Sequence, residues 1–165
     1  MRRKPNLLPR LERAAAYQIA LPEQFRGRWG AQFPDFRAIH LELGCGKGRF
    51  TCETALQTPE TLLLGVERVP DAAVVALERA QAAALPNARF LLCDVTALPS
   101  IFDAGEVSRI YINFCDPWPG KKRAKRRLTS DGFLALYRAL LPPGGEIHFK
   151  TDNSDLFEYS LDRFA

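Results

Sequence analysis

At 165 residues, 47% apolar and 25% charged, the chain has the make-up of one folded domain burying roughly 70% of its unfolded surface, which excludes disordered and fibrous classes. Its net charge of +4 is localised: residues 121–127 carry six cations and no acid, the remainder sums to −2, and one basic segment on a mildly acidic body is a footprint for a polyanion. No apolar run approaches the ~20 residues of a membrane span and no apolar signal-peptide core follows the basic start, so a cytoplasmic protein with no membrane partner is expected.

Residues 1–37 lack clean periodicity and hold Pro5, Pro9, Pro22 and Pro34 among Trp29, Phe33 and Phe36. This predicts an N-terminal arm, extended with at most short helical turns, that lies over the core or binds substrate. From residue 38 to 165 a second unit begins, in which short β-rich runs alternate with amphipathic stretches. Strands are predicted over 38–43, 62–67, 88–93, 109–114 and 146–150, and helices over 49–57, 72–84 and 132–141. Pro142-Pro143-Gly144-Gly145 stops the last of these helices and turns the chain into the fifth strand, and a helix-like stretch follows from Asp155 to Phe164. The alternation predicts a doubly wound α/β fold of three layers, with ligands at the carboxyl ends of a parallel sheet. Cys45, Cys52, Cys93 and Cys115 are far apart and form no C-x-x-C pair, so they read as small hydrophobes in a reducing compartment, and no metal centre is expected.

The first strand runs into Glu42-Leu43-Gly44-Cys45-Gly46-Lys47-Gly48-Arg49. Glycines at such a strand-to-helix turn permit positive φ and let a ligand approach the backbone, although a tight turn without a ligand would use the same residues. Arg49 stands where the third glycine of a dinucleotide fingerprint belongs, which disfavours a nicotinamide oxidoreductase. The acid-preceded G-x-G-x-G turn resembles the loop of class I methyltransferases. Glu67 ends the second strand, where a carboxylate either accepts two ribose hydroxyls or is simply an exposed strand-end acid. Asp94 ends the third, where it either meets an adenine amino group or caps a short helix. Glu42 could reach a cationic ligand directly or through water. One carboxylate after each of three strands favours a positively charged, ribose-bearing ligand without a pyrophosphate.

The fourth strand ends in Asn113-Phe114-Cys115-Asp116-Pro117-Trp118-Pro119, followed by Gly120, Lys121, Lys122, Arg123, Ala124, Lys125, Arg126 and Arg127. The two prolines stiffen the loop and present a carboxylate and an indole at the edge of the sheet. Trp118 can stack on a base or pack on the core. Six like charges in seven residues repel one another without a partner, so the segment reads as a phosphate-binding surface.

Asp116-Pro117-Trp118-Pro119, Lys125-Arg126-Arg127-Leu128 and Lys150-Thr151-Asp152-Asn153, together with the Glu42 loop, Glu67 and Asp94, resemble in order and spacing the signature blocks of bacterial tRNA (guanine-N7)-methyltransferases. The resemblance covers roughly residues 38 to 160. It implies a Rossmann-like class I fold that moves a methyl group from S-adenosyl-L-methionine to N7 of guanosine 46 in the tRNA variable loop. It further implies that Glu42, Gly44, Gly46, Glu67, Asp94 and Asp116 hold the cofactor and that Asp116 is the catalytic position. Gly120, Lys121, Lys122, Arg123, Lys125, Arg126, Arg127 and Asp152 fall at substrate-binding positions.

The chain departs from the family pattern in two places. Gly120 stands where many members carry a lysine, with Lys121 beside it. A T-x-[YF]-E block and two further strands are missing, so a C-terminally incomplete sheet is expected. Two other readings stay open: a methyltransferase for another base of RNA or DNA, since D-P-W is loosely similar to the D/N-P-P-Y loop of amino-methylating enzymes, and a non-catalytic RNA-binding module. Monomer and homodimer are equally compatible with the sequence.

Overall fold

The computed structural model describes residues 5–165, so the first four residues of the expected arm lie outside the described residues. Five runs pair in parallel: β1 (Ala38–Leu43), β2 (Thr61–Val66), β3 (Ala88–Leu91), β4 (Arg109–Asn113) and β5 (Glu146–Lys150), in the order β3-β2-β1-β4-β5. The chain winds outward from β1 to β3, then crosses back to lay β4 on the other side of β1. The direction of winding therefore reverses between β1 and β4, which is where an open α/β sheet leaves a crevice. All five predicted strands are present, with ends shifted by no more than two residues.

β2 is buried along its whole length because helices cover both faces and strands flank both edges. On one face Leu63 packs with Ala76, Leu77 and Ala80 of α4 (Pro70–Ala82) and with Cys52 and Ala55 of α3 (Arg49–Gln57). On the other, Leu62, Leu64 and Val66 meet Leu98 and Ile101 of α5 (Leu98–Ile101) and Leu134, Tyr137 and Leu140 of α6 (Asp131–Leu140). Period-two alternation along β2 thus feeds two cores, giving the expected three layers. The C-terminal helix α7 (Ser154–Phe164) starts on an Asn153 cap that accepts the Leu156 N–H at 2.8 Å, and Phe157 stacks on Phe149 of the edge strand β5.

The segment before β1 is less extended than its sequence predicts. It forms α1 (Leu7–Arg13), two 3-10 turns at Ala15–Tyr17 and Pro22–Phe25, and α2 (Trp29–Gln32). Arg10 of α1 grips Glu78 of α4 at 2.5 and 2.7 Å. The chain then passes the outer edge of β3, where Ile19 N–H donates to Phe90 O at 3.0 Å and shields that edge. Trp29 inserts on the opposite face, fully buried, with its indole N–H on Ile101 O at 2.9 Å and its ring stacked 4.8 Å from Phe102. The segment therefore wraps the β3 side of the sheet and contributes to both cores.

Candidate active site

The carboxyl ends of β1 to β4 open onto a cleft of about 800 Å³, walled by Gly44, Glu67, Asp94, Phe114, Asp116 and Trp118, with Lys125 and Arg126 on its rim. The volume falls within the range of small-molecule and cofactor sites.

The glycine turn is held from behind, since Gly44 N–H and Cys45 N–H both donate to Val66 O, at 2.8 and 3.0 Å. Gly44, Gly46 and Gly48 have φ of 70°, 56° and 74°, conformations that only glycine adopts without strain. Their surroundings differ. A Cβ on Gly44 or Gly46 would meet nothing within 4 Å, whereas one on Gly48 would stand 2.6 Å from the Ala76 Cβ. Gly48 is thus the close approach of the turn to α4, and Gly44 is the open wall of the cleft.

Glu67 is fixed by backbone amides: Oε2 accepts Gly46 N–H at 2.8 Å and Oε1 accepts Val69 N–H at 3.0 Å. Each oxygen keeps a second lone pair for a hydroxyl donor. Asp94 does what the capping alternative foresees, with Oδ1 accepting Thr96 N–H at 2.9 Å and Thr96 Oγ–H at 2.8 Å. Those two bonds hold its carboxyl below its ordinary pKa. Oδ2 points toward Arg68 Nη1, 3.9 Å away, and no close hydrogen bond occupies it. Capping and ligand contact are compatible here because they use different oxygens.

Glu42 lies apart from the cleft wall. It is 3% exposed, beneath the crevice between β1 and β4, where Thr51 Oγ–H donates to Oε2 at 2.5 Å and Asn113 Nδ2 to Oε1 at 3.3 Å. Burial raises its pKa, and the two hydrogen bonds oppose that rise without cancelling it.

The Asp116 loop is over-determined. β4 ends at Asn113, one residue earlier than predicted, and Phe114 turns out with φ 52° while its N–H donates to Lys150 O at 2.8 Å. Trp118 has φ 43°, so two non-glycine residues in the left-handed region flank the exposed Asp116. Such conformations persist only where surrounding contacts enforce them. Trp118 belongs to neither core cluster; it lines the cleft with Arg126 5.1 Å from its ring.

Lys121–Arg126 form a 3-10 turn whose lysines and arginines are all exposed. Gly120 precedes it with φ 87° and ψ 145°, a backbone region essentially confined to glycine. A lysine at 120 would be strained in this conformation. Arg127 differs from its neighbours, being half-buried and turned inward onto Pro117 O and Trp118 O. Asp152 is exposed after β5 and does not line the cleft.

Sequence reasoning missed Phe114, Cys93, Cys115, Arg68 and Thr96 as cleft residues, and Thr51 and Asn113 as partners of Glu42. The signal for Phe114 was its place immediately before Cys115-Asp116 at a strand end. Burial pushes the Cys93 and Cys115 thiols up to about 11, so neither is a thiolate at neutral pH. No group of three His, Cys, Asp or Glu residues among the described residues could hold a metal ion.

Comparison with known proteins bears on this geometry. Residues 37–165 match the family described as "Putative methyltransferase". The tRNA (guanine-N(7)-)-methyltransferase of Listeria welshimeri is 46% identical over all 165 residues, which span 77% of that protein. The tRNA (guanine-N(7)-)-methyltransferase of Geobacillus thermodenitrificans is 45% identical over 161 residues, 98% of this chain and 74% of that one. Among solved structures, the aminoglycoside resistance methyltransferase NpmB1 superposes with a TM-score of 0.61 at 26% identity, covering 84% of this chain and 68% of its own.

Proposed function

The chain belongs to the tRNA (guanine-N(7)-)-methyltransferase family, and from that premise we propose that it transfers a methyl group from S-adenosylmethionine to N7 of a guanosine in tRNA, guanosine 46 of the variable loop. The observation that carries the reading is the convergence of Gly44, Glu67, Asp94 and Asp116 on one cleft beside the longest basic segment of the sequence.

The donor set fits the cofactor. Glu67 offers a pair of oriented lone pairs for ribose hydroxyls, and Asp94 Oδ2 offers an acceptor for an amino group. Val66, Val95 and Cys93 give apolar lining suited to a purine. Gly44 brings the backbone against the cleft with no side chain in the way. When bound, S-adenosylmethionine supplies the methyl group on a cationic sulfur. Glu42, fixed below the crevice by Thr51 and Asn113, would place a carboxyl group beneath that end of the site.

Guanine N7 carries an in-plane lone pair and no proton, so no residue has to remove one before attack. The chain's work is alignment and placement of charge. Asp116, exposed on the rim and held by the stiff loop, is suited to accept the guanine N1–H and amino group and to offset the positive charge that grows on the base. The exposed cations at 121–126 grip phosphates, with affinity that drops as salt rises.

The test incubates the protein with methyl-labelled S-adenosylmethionine and bulk tRNA, then digests the product to nucleosides. Label in 7-methylguanosine is expected, and a transcript with adenosine in place of guanosine 46 should take none. Label in methylated adenine or cytosine would replace this reading with another base methyltransferase, and label retained by the substituted transcript would remove the position.

A further inference from the structure

Pro117 and Pro119 deprive the Asp116 loop of two N–H donors, so its carbonyls are the principal backbone groups by which it can be tied down. Arg127 ties them. Its Nε donates to Pro117 O at 3.0 Å and Trp118 O at 3.4 Å, and Nη2 donates to Trp118 O at 3.3 Å. The guanidinium also lies 4.3 Å from the Tyr159 ring of α7, which Arg163 approaches at 5.2 Å. Arg163 in turn reaches Asp131 at the head of α6 at 3.3 Å. Two residues beyond Arg127, Thr129 Oγ and Ser160 Oγ share a buried hydrogen bond of 2.7 Å, so loop and helix are joined twice.

We propose that Arg127 is a positioning residue for Asp116, clamping the Asp116–Pro119 loop onto α7 through Tyr159, and that it makes no phosphate contact although it belongs to the basic segment. The proposal rests on the methyl-transfer reading above. With Nε and Nη2 committed to two backbone carbonyls and a ring against the cation, the half-buried Arg127 is less open to RNA than the five exposed cations before it. A forked, planar guanidinium is required because a lysine ammonium cannot span two carbonyls while lying flat on an aromatic ring.

The test compares Arg127→Ala, Arg127→Lys and Lys125→Ala with wild type by three measurements: acrylamide quenching of Trp118, the salt dependence of tRNA binding, and kcat for 7-methylguanosine formation. Trp29 is fully buried, so accessible quenching reports Trp118. Arg127→Ala should raise quenching and lower kcat by about tenfold or more while leaving the salt slope unchanged, and lysine should not rescue it. Lys125→Ala should instead make the slope shallower by about one. Tyr159→Phe should behave as wild type and Tyr159→Leu should follow Arg127→Ala, and this pair carries the comparison if Arg127→Ala fails to fold. A shallower slope for Arg127→Ala, or unchanged quenching or kcat, overturns the proposal. A wild-type chain that makes no 7-methylguanosine removes the methyl-transfer reading alone, and quenching still decides the tether.

Discussion

Glu42 illustrates how a single side chain can carry a cost that folding alone does not explain. Burial favours its protonated form in the folded state, with Glu67 adding like-charge repulsion, so its pKa stands above the ordinary 4.5. As pH rises the unfolded chain therefore releases this proton first. Stability falls from about pH 4.5 up through the raised folded value. Glu42→Gln keeps an acceptor for Asn113 and, with the Thr51 hydroxyl turned to accept from its NH2, should raise the melting temperature at pH 7 by a few degrees while lowering cofactor affinity. Melting curves at pH 5 and 7 check the sign, since the gain should shrink at the lower pH. The identities of Glu42, Glu67 and Asp94 were legible in the sequence because each stands at or just beyond the carboxyl end of a strand. Their states were not: whether Asp94 caps a turn, and whether Glu42 lines the cleft or lies under it, depend on Thr96, Thr51 and Asn113, whose approach only the folded chain defines.

Among the elements, the segment before β1 gained most from the structure. Phe25, Trp29 and Phe33 pack on one another with ring centroids 5.3 to 6.2 Å apart, yet a 3-10 turn and one short helix carry them rather than a continuous helix. Trp29 meets Phe102 and Ile101, more than seventy residues along the chain, and no local pattern encodes that contact. Trp29→Ala should remove about 3–5 kcal/mol by urea denaturation, the cost of emptying a fully buried aromatic site. A loss below 1 kcal/mol would mean the segment is only an appendage. The strands and main helices were legible because apolar runs bounded by Gly and Pro leave few alternatives, and the Pro142–Gly145 turn falls where predicted. The basic segment was legible as charge, yet charge alone did not separate the exposed cations from Arg127, which the chain turns inward.

For the whole molecule, winding outward from β1 and back to β4 gathers the ends of four strands into one cleft, so residues from 44 to 133 in sequence share its wall. Two non-glycine residues in the left-handed region, a glycine-confined backbone at 120 and an inward arginine all fix the segment that presents Asp116. Rigidity is concentrated where alignment matters, as expected for a reaction that needs placement more than proton transfer. The most direct test compares wild type with Asp116→Asn for 7-methylguanosine formation in tRNA, with S-adenosylmethionine affinity measured in parallel. The predicted result is a rate lower by about a hundredfold or more in the variant, cofactor affinity changed only a few-fold. Undiminished 7-methylguanosine formation by Asp116→Asn would contradict the account.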